Sequence, residues 1–388
     1  MNIKKRKVCF VTGSRAEYGI ISVLMKKIRK VDSLELQIIA TGMHLSHEFG
    51  NSFQQIEEDG FVIDKKIDIL LSSGSSVGIS KSIGLGIISF SDVFSNLVPD
   101  IVVLTGDRFE MFSAACAATV AKIPIAHIHG GETTEGAFDE AFRHSISKMS
   151  HIHFTSTDEY RSRVIQLGEN PNRVFNVGSL GVENLKSLKL LSKSDFEKSI
   201  DFKLGKYNLL ITFHPETLEE SSVENQFKSV LSSLDKLKDF KFIFTKSNAD
   251  VGGYTINKMI DDYVNSNPNK SIAFKSLGQL RYFSALKHVD GIIGNSSSSL
   301  IEAPSLYLGA INVGDRQKGR VQSDSVINCS TNVENIDHAI KSLFKEEFKQ
   351  KLNTVINPYD KDKTSDNIIR VITNYPLKNI LKKAFYNI

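Results

Sequence analysis

The stretch HIHGGETTEGAFDEAFRHS, residues 127 to 145, concentrates side chains that can hold a metal, cradle a phosphate or move a proton. His127 and His129 alternate as two residues on one face of a strand do. Such a pair starts a zinc site only when further ligands converge. No Cys cluster or HExxH follows, so no metal is expected. Gly130 and Gly131 allow a tight turn and close approach of backbone to a ligand. Glu132 is carried just past the strand. Asp139 and Glu140 open a helix whose apolar positions Phe138, Ala141, Phe142 and Met149 are expected to face the core. That would leave Asp139–Arg143 and Glu140–His144 as i,i+4 pairs on the outer side. The alternative is a carboxylate cluster of Glu132 with an acid of this helix, one pKa raised by its neighbours.

Other groups with chemistry also follow apolar runs, where open α/β sheets keep their ligands. Gly13-Ser14-Arg15 follows VCFVT and offers a turn, free backbone N–H groups and a guanidinium to an anion. Asp107-Arg108 closes DIVVLTG, with Asp107 either facing a crevice or capping the next helix. His214 closes NLLITFH; a lone histidine is more often structural, but here it can stabilise charge or shuttle a proton. Asn248 follows FKFIFTKS, and Gly314-Asp315-Arg316 follows AINV. Asn295 and the serines Ser296 to Ser299 follow DGIIG. One serine would cap a helix, and four suit a diphosphate. Glu302, farther along, suits sugar hydroxyls or plain solvent.

The elements that must position these groups alternate. VCFVT (8–12), LQIIAT (36–41), DIVVLTG (100–106), IPIAHIH (123–129), HIHFTST and RVFNVGS read as strands of a parallel sheet buried on both faces. GSRAEYG reads as a loop before the helix IISVLMKKIRK. NLLITFH (208–214), FKFIFT (240–245), SIAFKS (271–276), DGIIGN (290–295) and GAINVG (309–314) begin a second unit. The fold class is therefore α/β, with two doubly wound Rossmann-like domains, over 1–180 and 181–365. The charged, serine-rich stretch 181–205 is placed as the linker. Residues 366–388 are read as a C-terminal helix packing back on the first domain. Two such units would put a ligand crevice between their strand ends.

Composition narrows the class. The 388 residues carry 48 Lys and Arg against 44 Asp and Glu, a net charge of +4, with no basic stripe for nucleic acid. Cys9, Cys116 and Cys329 form no disulfide or metal spacing, which suits a reducing compartment. No apolar stretch reads as a membrane span and the N-terminus does not read as a signal peptide. A cytoplasmic protein without a membrane partner is expected.

At this point the residues resemble a known family. GSRAEYG, TGMH, GDRFEMFS, HIHGGE, DEAFRHSISKMSH, FHPET, SNAD, GNSSSSLIE and GDRQKGR, in order from about residue 8 to 322, resemble the hydrolysing UDP-N-acetylglucosamine 2-epimerases of bacterial sialic acid synthesis. The resemblance implies a glycosyltransferase-B type fold, a UDP-sugar substrate, no cofactor and a homo-oligomer, dimer or tetramer. It implies elimination of UDP to a glycal and addition of water, giving N-acetylmannosamine. By the same resemblance Asp107, Glu132, Asp139 and His214 are catalytic. Arg15, Ser296 and Ser297 would contact the diphosphate and Glu302 the ribose; Asn248, Leu277 and Arg316 would be further substrate contacts. His127 and His129 are left to packing or orientation. Ser299 stands where close relatives have glycine, and Gly19 where some animal relatives have serine. The rival readings are the same chemistry on a UDP-2,4-diacetamido-2,4,6-trideoxy sugar, a glycosyltransferase-B transferase, and a catalytically idle UDP-sugar-binding regulator.

Overall fold

The computed structural model describes residues 4–47, 50–71, 75–216, 222–247 and 252–388. Asn248 lies outside them. By contacts the chain forms two units. The first holds 1–132, 139–184 and 359–388, and the second 133–138 and 185–358. The expected divisions at 180 and 365 thus sit at 184 and 358, and the six residues between Glu132 and Asp139 group with the second unit.

In the first unit the strands are β1 (Arg6–Thr12), β2 (Leu34–Thr41), β3 (Lys65–Ile67), β4 (Ile101–Thr105), β5 (Ile125–Ile128), β6 (Ile152–Thr155) and β7 (Val174–Asn176). They form one sheet in the order β3-β2-β1-β4-β5-β6-β7, with every pairing parallel. Its helices are α1 (Arg15–Ile28), α2 (Phe53–Glu58), α3 (Ser76–Leu97), α4 (Phe109–Val120), α5 (Asp139–Met149), α6 (Asp158–Gln166) and α7 (Leu180–Ser187). Both faces of the central strands are buried: β4 and β5 have no exposed residue. This is why they read as unbroken apolar runs.

The second unit contributes α8 (Lys193–Ile200), β8 (Tyr207–Thr212), α9 (Val223–Asp235), β9 (Phe240–Thr245), α10 (Gly253–Ser266), β10 (Ser271–Phe274), α11 (Gly278–His288), β11 (Gly291–Gly294), α12 (Ser298–Ile301), β12 (Ala310–Val313), β13 (Val326–Cys329), α13 (Val333–Leu343) and α14 (Glu346–Leu352). Its parallel sheet runs β10-β9-β8-β11-β12-β13. One face buries Phe213, Phe227, Phe244 and Ile260, the other Phe196, Leu210, Ile243 and Leu286.

Several expectations need correction. GSRAEYG is helical from Arg15, because Ser14 and Glu17 form a reciprocal capping box. The stretch 181–205 holds α7 and α8 rather than a bare linker. The C-terminal helix is α15 (Thr364–Asn374), and residues 375–388 leave it in turns and irregular chain. α15 contributes Ile368 and Ile372 to the first unit's core, and Lys27 donates to Glu183, Ser365 and Asp366 beside it. The helix α3, at 22 residues, is long and apolar enough to cross a membrane by length and composition alone, a test that a core helix passes too.

Candidate functional site

In the first unit the chemistry gathers beyond the ends of β4 and β5. The carboxylate of Asp107 accepts a hydrogen bond from Nη2 of Arg143 on α5. Nη1 of the same guanidinium donates to the carbonyl of His129 at 3.0 Å and lies 3.9 Å from Oε2 of Glu132. Oε1 of Glu132 accepts from the Ser156 hydroxyl at 2.7 Å and lies 2.6 Å from Nδ1 of His129. Glu132 is 2 % exposed and Arg143 also 2 %. Burying charge is costly unless it is paired and hydrogen-bonded, and the planar guanidinium fork does this for two carboxylates at once.

The HIHGG backbone makes the arrangement possible. His127 is buried and donates from Nε2 to the Gly106 carbonyl at 2.7 Å, which leaves Nδ1 to accept from the Ser147 hydroxyl at 3.0 Å. Burial pushes its pKa down to about 3, so it stays neutral. A Cβ on Gly130 would lie 2.8 Å from Oγ of Ser147 and 2.9 Å from Nδ1 of His127. His129 takes φ +64° and Gly131 φ +77°, so the chain reverses within a few residues and returns Glu132 to His129. Nε2 of His129 is buried with no hydrogen-bond partner among the described residues.

Three sequence expectations change here. The helix α5 buries Arg143, Ile146 and Ser147, whereas Ala141 is exposed. Arg143 therefore faces inward and is a central part of the cluster, while Glu140–His144 remains an i,i+4 pair at 2.9 Å. Asp107 does not cap α4; Arg108 holds that position and pairs with the buried Glu110 at 3.2 Å. The turn at Gly13-Ser14 does not offer free N–H groups. Both donate to Oε2 of Glu17, at 2.7 and 3.1 Å. Burial and the neighbouring Glu110 push the Glu17 carboxyl up to about 8. Arg15 donates from Nη2 to the Gly50 carbonyl at 3.2 Å, and burial lowers its pKa. Asp139 is the first residue of α5 and half-buried. A Cβ at Gly19 would meet nothing within 4 Å, so the glycine there answers no local crowding.

In the second unit Asn295 is the organiser. Its side chain accepts from the backbone N–H of His214 at 2.7 Å and donates to the His214 carbonyl at 2.9 Å, tying the ends of β8 and β11 together. Its own carbonyl accepts from Arg316 at 3.1 Å and Gln317 at 2.8 Å. Nδ1 of His214 lies 3.2 Å from the Ser247 hydroxyl. Ser296 and Ser297 form the turn into α12, and the buried Ser299 hydroxyl donates to the Ser296 carbonyl at 2.6 Å. Ser299 thus closes the turn from within, where a glycine could not. Tyr282 lies on α11, and burial pushes its phenol up to about 12. Glu302 ends α12 and is 7 % exposed. Leu277 joins the apolar cluster with Phe196 and Ile243, so its side chain serves the core and its backbone at the start of α11 is what remains for a ligand.

The structure therefore brings Asp107 and Glu132 together in one unit and His214, Ser296 and Arg316 together in the other. Sequence reasoning missed Arg143, Ser156, Tyr282 and the organising role of Asn295. Among the described residues no three His, Cys, Asp or Glu side chains are grouped as a metal would require.

The two parallel-sheet α/β units, one with buried acid–imidazole groups and one with a serine turn, have a fold of the glycosyltransferase-B type. Residues 26–373 match the family described as UDP-N-acetylglucosamine 2-epimerase, and the chain belongs to it. It is 44% identical over 387 residues to the GDP/UDP-N,N'-diacetylbacillosamine 2-epimerase (hydrolyzing) of Campylobacter jejuni subsp. jejuni, covering 100% of both chains. It is 43% identical to the polysialic acid biosynthesis protein P7 of Escherichia coli, over 99% of this chain and 98% of that one. The crystal structure of UDP-GlcNAc 2-epimerase from Neisseria meningitidis bound to UDP-GlcNAc shares the fold, with a TM-score of 0.78 at 21% identity, over 94% of this chain and 99% of that one.

Proposed function

We propose that the chain is a hydrolysing 2-epimerase that converts UDP-N-acetylglucosamine and water to N-acetylmannosamine and UDP, as the first step of sialic acid synthesis in the cytoplasm. The observation that carries the reading is the buried His129–Glu132 pair tied by Arg143 to Asp107. The reaction needs a base for the C2 proton, a hold on the departing diphosphate, and an acid to reprotonate C2. As the C2–H bond breaks, its electrons form the C1–C2 double bond and the C1–O pair leaves with UDP. Water then returns a hydroxyl to C1 and a proton to the opposite face of C2. A carboxylate at Glu132 accepts from Nδ1–H of His129, which leaves the lone pair on Nε2. That nitrogen has no partner among the described residues, so it is the group we assign to the C2 proton. One proton returns to C2, and Asp139 is the acid we assign to it, while Asp107 is held by Arg143. Ser296, Ser297 and Arg15 are assigned to the diphosphate, with His214 and Arg316 beside it, and Glu302 to the ribose.

A second reading keeps this chemistry and changes the sugar to UDP-N,N'-diacetylbacillosamine. It rests on the 44% identity to the Campylobacter jejuni protein of that description. One experiment tests both. The protein is incubated in heavy water with each nucleotide sugar in turn and the products are read by NMR. UDP plus a free 2-epimer deuterated at C2 is expected, and the faster of the two substrates names the sugar. Release of an intact UDP-linked epimer, or of a sugar protonated from its own C2, would refute the hydrolysing mechanism.

A further inference from the structure

We infer that Arg320 is a positioning residue of the reaction proposed above, on which this inference rests. With Gly136 it fixes the segment 133–138 on the loop 314–320. That segment runs from one proposed catalytic acid, Glu132, to the next, Asp139. By its contacts the segment groups with the second unit, which also holds the loop, while the residues on either side of it belong to the first.

The contacts that hold the segment lie within the second unit. Nε of Arg320 donates to the Thr133 carbonyl at 2.8 Å. Gly136 lies backbone against backbone on the loop. A Cβ there would stand 2.9 Å from both Cα and N of Arg316 and 3.0 Å from the carbonyl carbon of Asp315. None of these atoms is the end of a flexible side chain, so nothing nearby could yield to a methyl group. A Cβ on Gly319, at φ +76°, would run into Oε1 of Glu135 and stand 3.2 Å from Oγ1 of Thr133. Thr133, Thr134, Gly136 and Ala137 are buried, and the Ala137 N–H donates to the Thr134 carbonyl at 2.9 Å. The segment is therefore a packed turn and not a slack tether.

The loop leads to groups assigned to the diphosphate. Arg316 and Gln317 donate to the Asn295 carbonyl, and the Asn295 side chain holds the backbone of His214. A diphosphate that orders Arg316 therefore orders the segment lying on its backbone. The two acids at the ends of the segment differ in their supports. Glu132 is held by the Ser156 hydroxyl and the His129 ring. Asp139 opens α5 directly after the segment. Protonation of C2, assigned to Asp139, should thus depend on Arg320 more than removal of the C2 proton does. A misplacement of about 1 Å at a reacting group costs on the order of a hundredfold in rate.

The test uses the full chain and whichever of the two nucleotide sugars the wild type consumes. Arg320→Met should lower kcat about tenfold or more, while UDP affinity, measured by calorimetry, changes less than about threefold. A larger share of the consumed sugar should leave as free glycal instead of the 2-epimer. Arg320→Lys keeps a donor for the Thr133 carbonyl and should recover most of kcat. Gly136→Ala should repeat both the loss and the glycal share. Hydrogen exchange follows the segment itself. In the wild type UDP should slow the amides of 133–138 as well as those of 314–320, and in Arg320→Met only the latter. A glycal share equal to that of the wild type, no recovery in Arg320→Lys, or amides of 133–138 indifferent to UDP would each overturn the inference and leave the proposed function standing. A wild type that neither binds UDP nor consumes either sugar would overturn both.

Discussion

Nδ1 of His129 lies 2.6 Å from Oε1 of Glu132, and the same oxygen accepts the Ser156 hydroxyl at 2.7 Å. Glu132 is thus held on the imidazole by a fixed donor, and it sets which ring nitrogen is free. The two residues should act as one. Glu132→Gln and His129→Gln should each lower kcat by about a hundredfold or more, and the double variant should cost little beyond either single one. UDP affinity, measured by calorimetry, should be kept in all three. Near wild-type turnover in His129→Gln would return the proton transfer to the carboxylates and leave the imidazole as packing.

Arg143 has a different role, which its energetics should reveal. Its guanidinium serves Asp107, the His129 carbonyl and Glu132 while almost fully buried. Arg143→Met would leave buried acid without its cation, at a cost of about 3–5 kcal/mol. Arg143→Lys would keep the charge but lose the fork, so an intermediate loss is expected. Denaturant midpoints for the two variants measure this. Equal stability of Arg143→Met and wild type would show that the cluster is not held by this residue.

This residue also shows where the sequence was legible and where it was not. The central strands are buried on both faces, so β1, β4, β8 and β11 stand out as apolar runs, and the groups at their ends could be found by position. The edge strands β3 and β13, KKI and VINC, are short and partly exposed, and no apolar run marks them. Arg143 was assigned to the outer face because periodicity places charge in water, yet a charge buried for a partner breaks that rule. Its partners at Asp107 and Glu132 are 36 and 11 positions away, which helical spacing cannot reveal. The start of α1 was different: Ser14 followed by Glu17 is a capping box plain in the sequence, obscured by Gly19.

Acid should destabilise the first unit through its neutral histidines. Burial pushes His127 down to about 3, and burial with the charge of Arg15 pushes His44 down to about 4. Both lie below the unfolded value of about 6.5. Between the two values the unfolded chain binds more protons, so stability falls as pH falls from 6.5 towards 4. At pH 5.5 each such group should cost about 1 kcal/mol relative to pH 7.5. Melting temperature against pH, for wild type and for His44→Asn, measures the slope. An unaltered slope in His44→Asn would remove that residue from the account.

The last prediction concerns the C-terminal segment after α15. Nζ of Lys383 donates to the carbonyls of Lys148 and Ser150 at 2.6 and 2.7 Å, and to Oε1 of Glu169 at 2.7 Å. A cation there satisfies backbone acceptors at the end of α5 and opposes the negative end of its dipole. Phe385 covers Gly168, where a Cβ would lie 2.4 Å from the ring, and Tyr386 donates its N–H to the Gly168 carbonyl at 2.9 Å. Burial alone would raise the Glu169 carboxyl, but hydrogen bonds from His153, Lys148 and Lys383 hold it down at about 2. That value lies below the unfolded one, so the contribution is present above about pH 4.5 and disappears as pH falls towards 2. Lys383→Met should therefore lower stability by about 1.5–3 kcal/mol at pH 7, with the deficit shrinking through that acid window. Removing residues 383–388 should do more, because Phe385 goes too, while Ile380 stays in the core. Since α5 carries both Asp139 and Arg143, the truncated chain should also lose several-fold in kcat with KM for the UDP-sugar little changed. Full kcat in a truncated chain of lowered melting temperature would confine the segment to stability and leave the position of α5 to Arg143 alone.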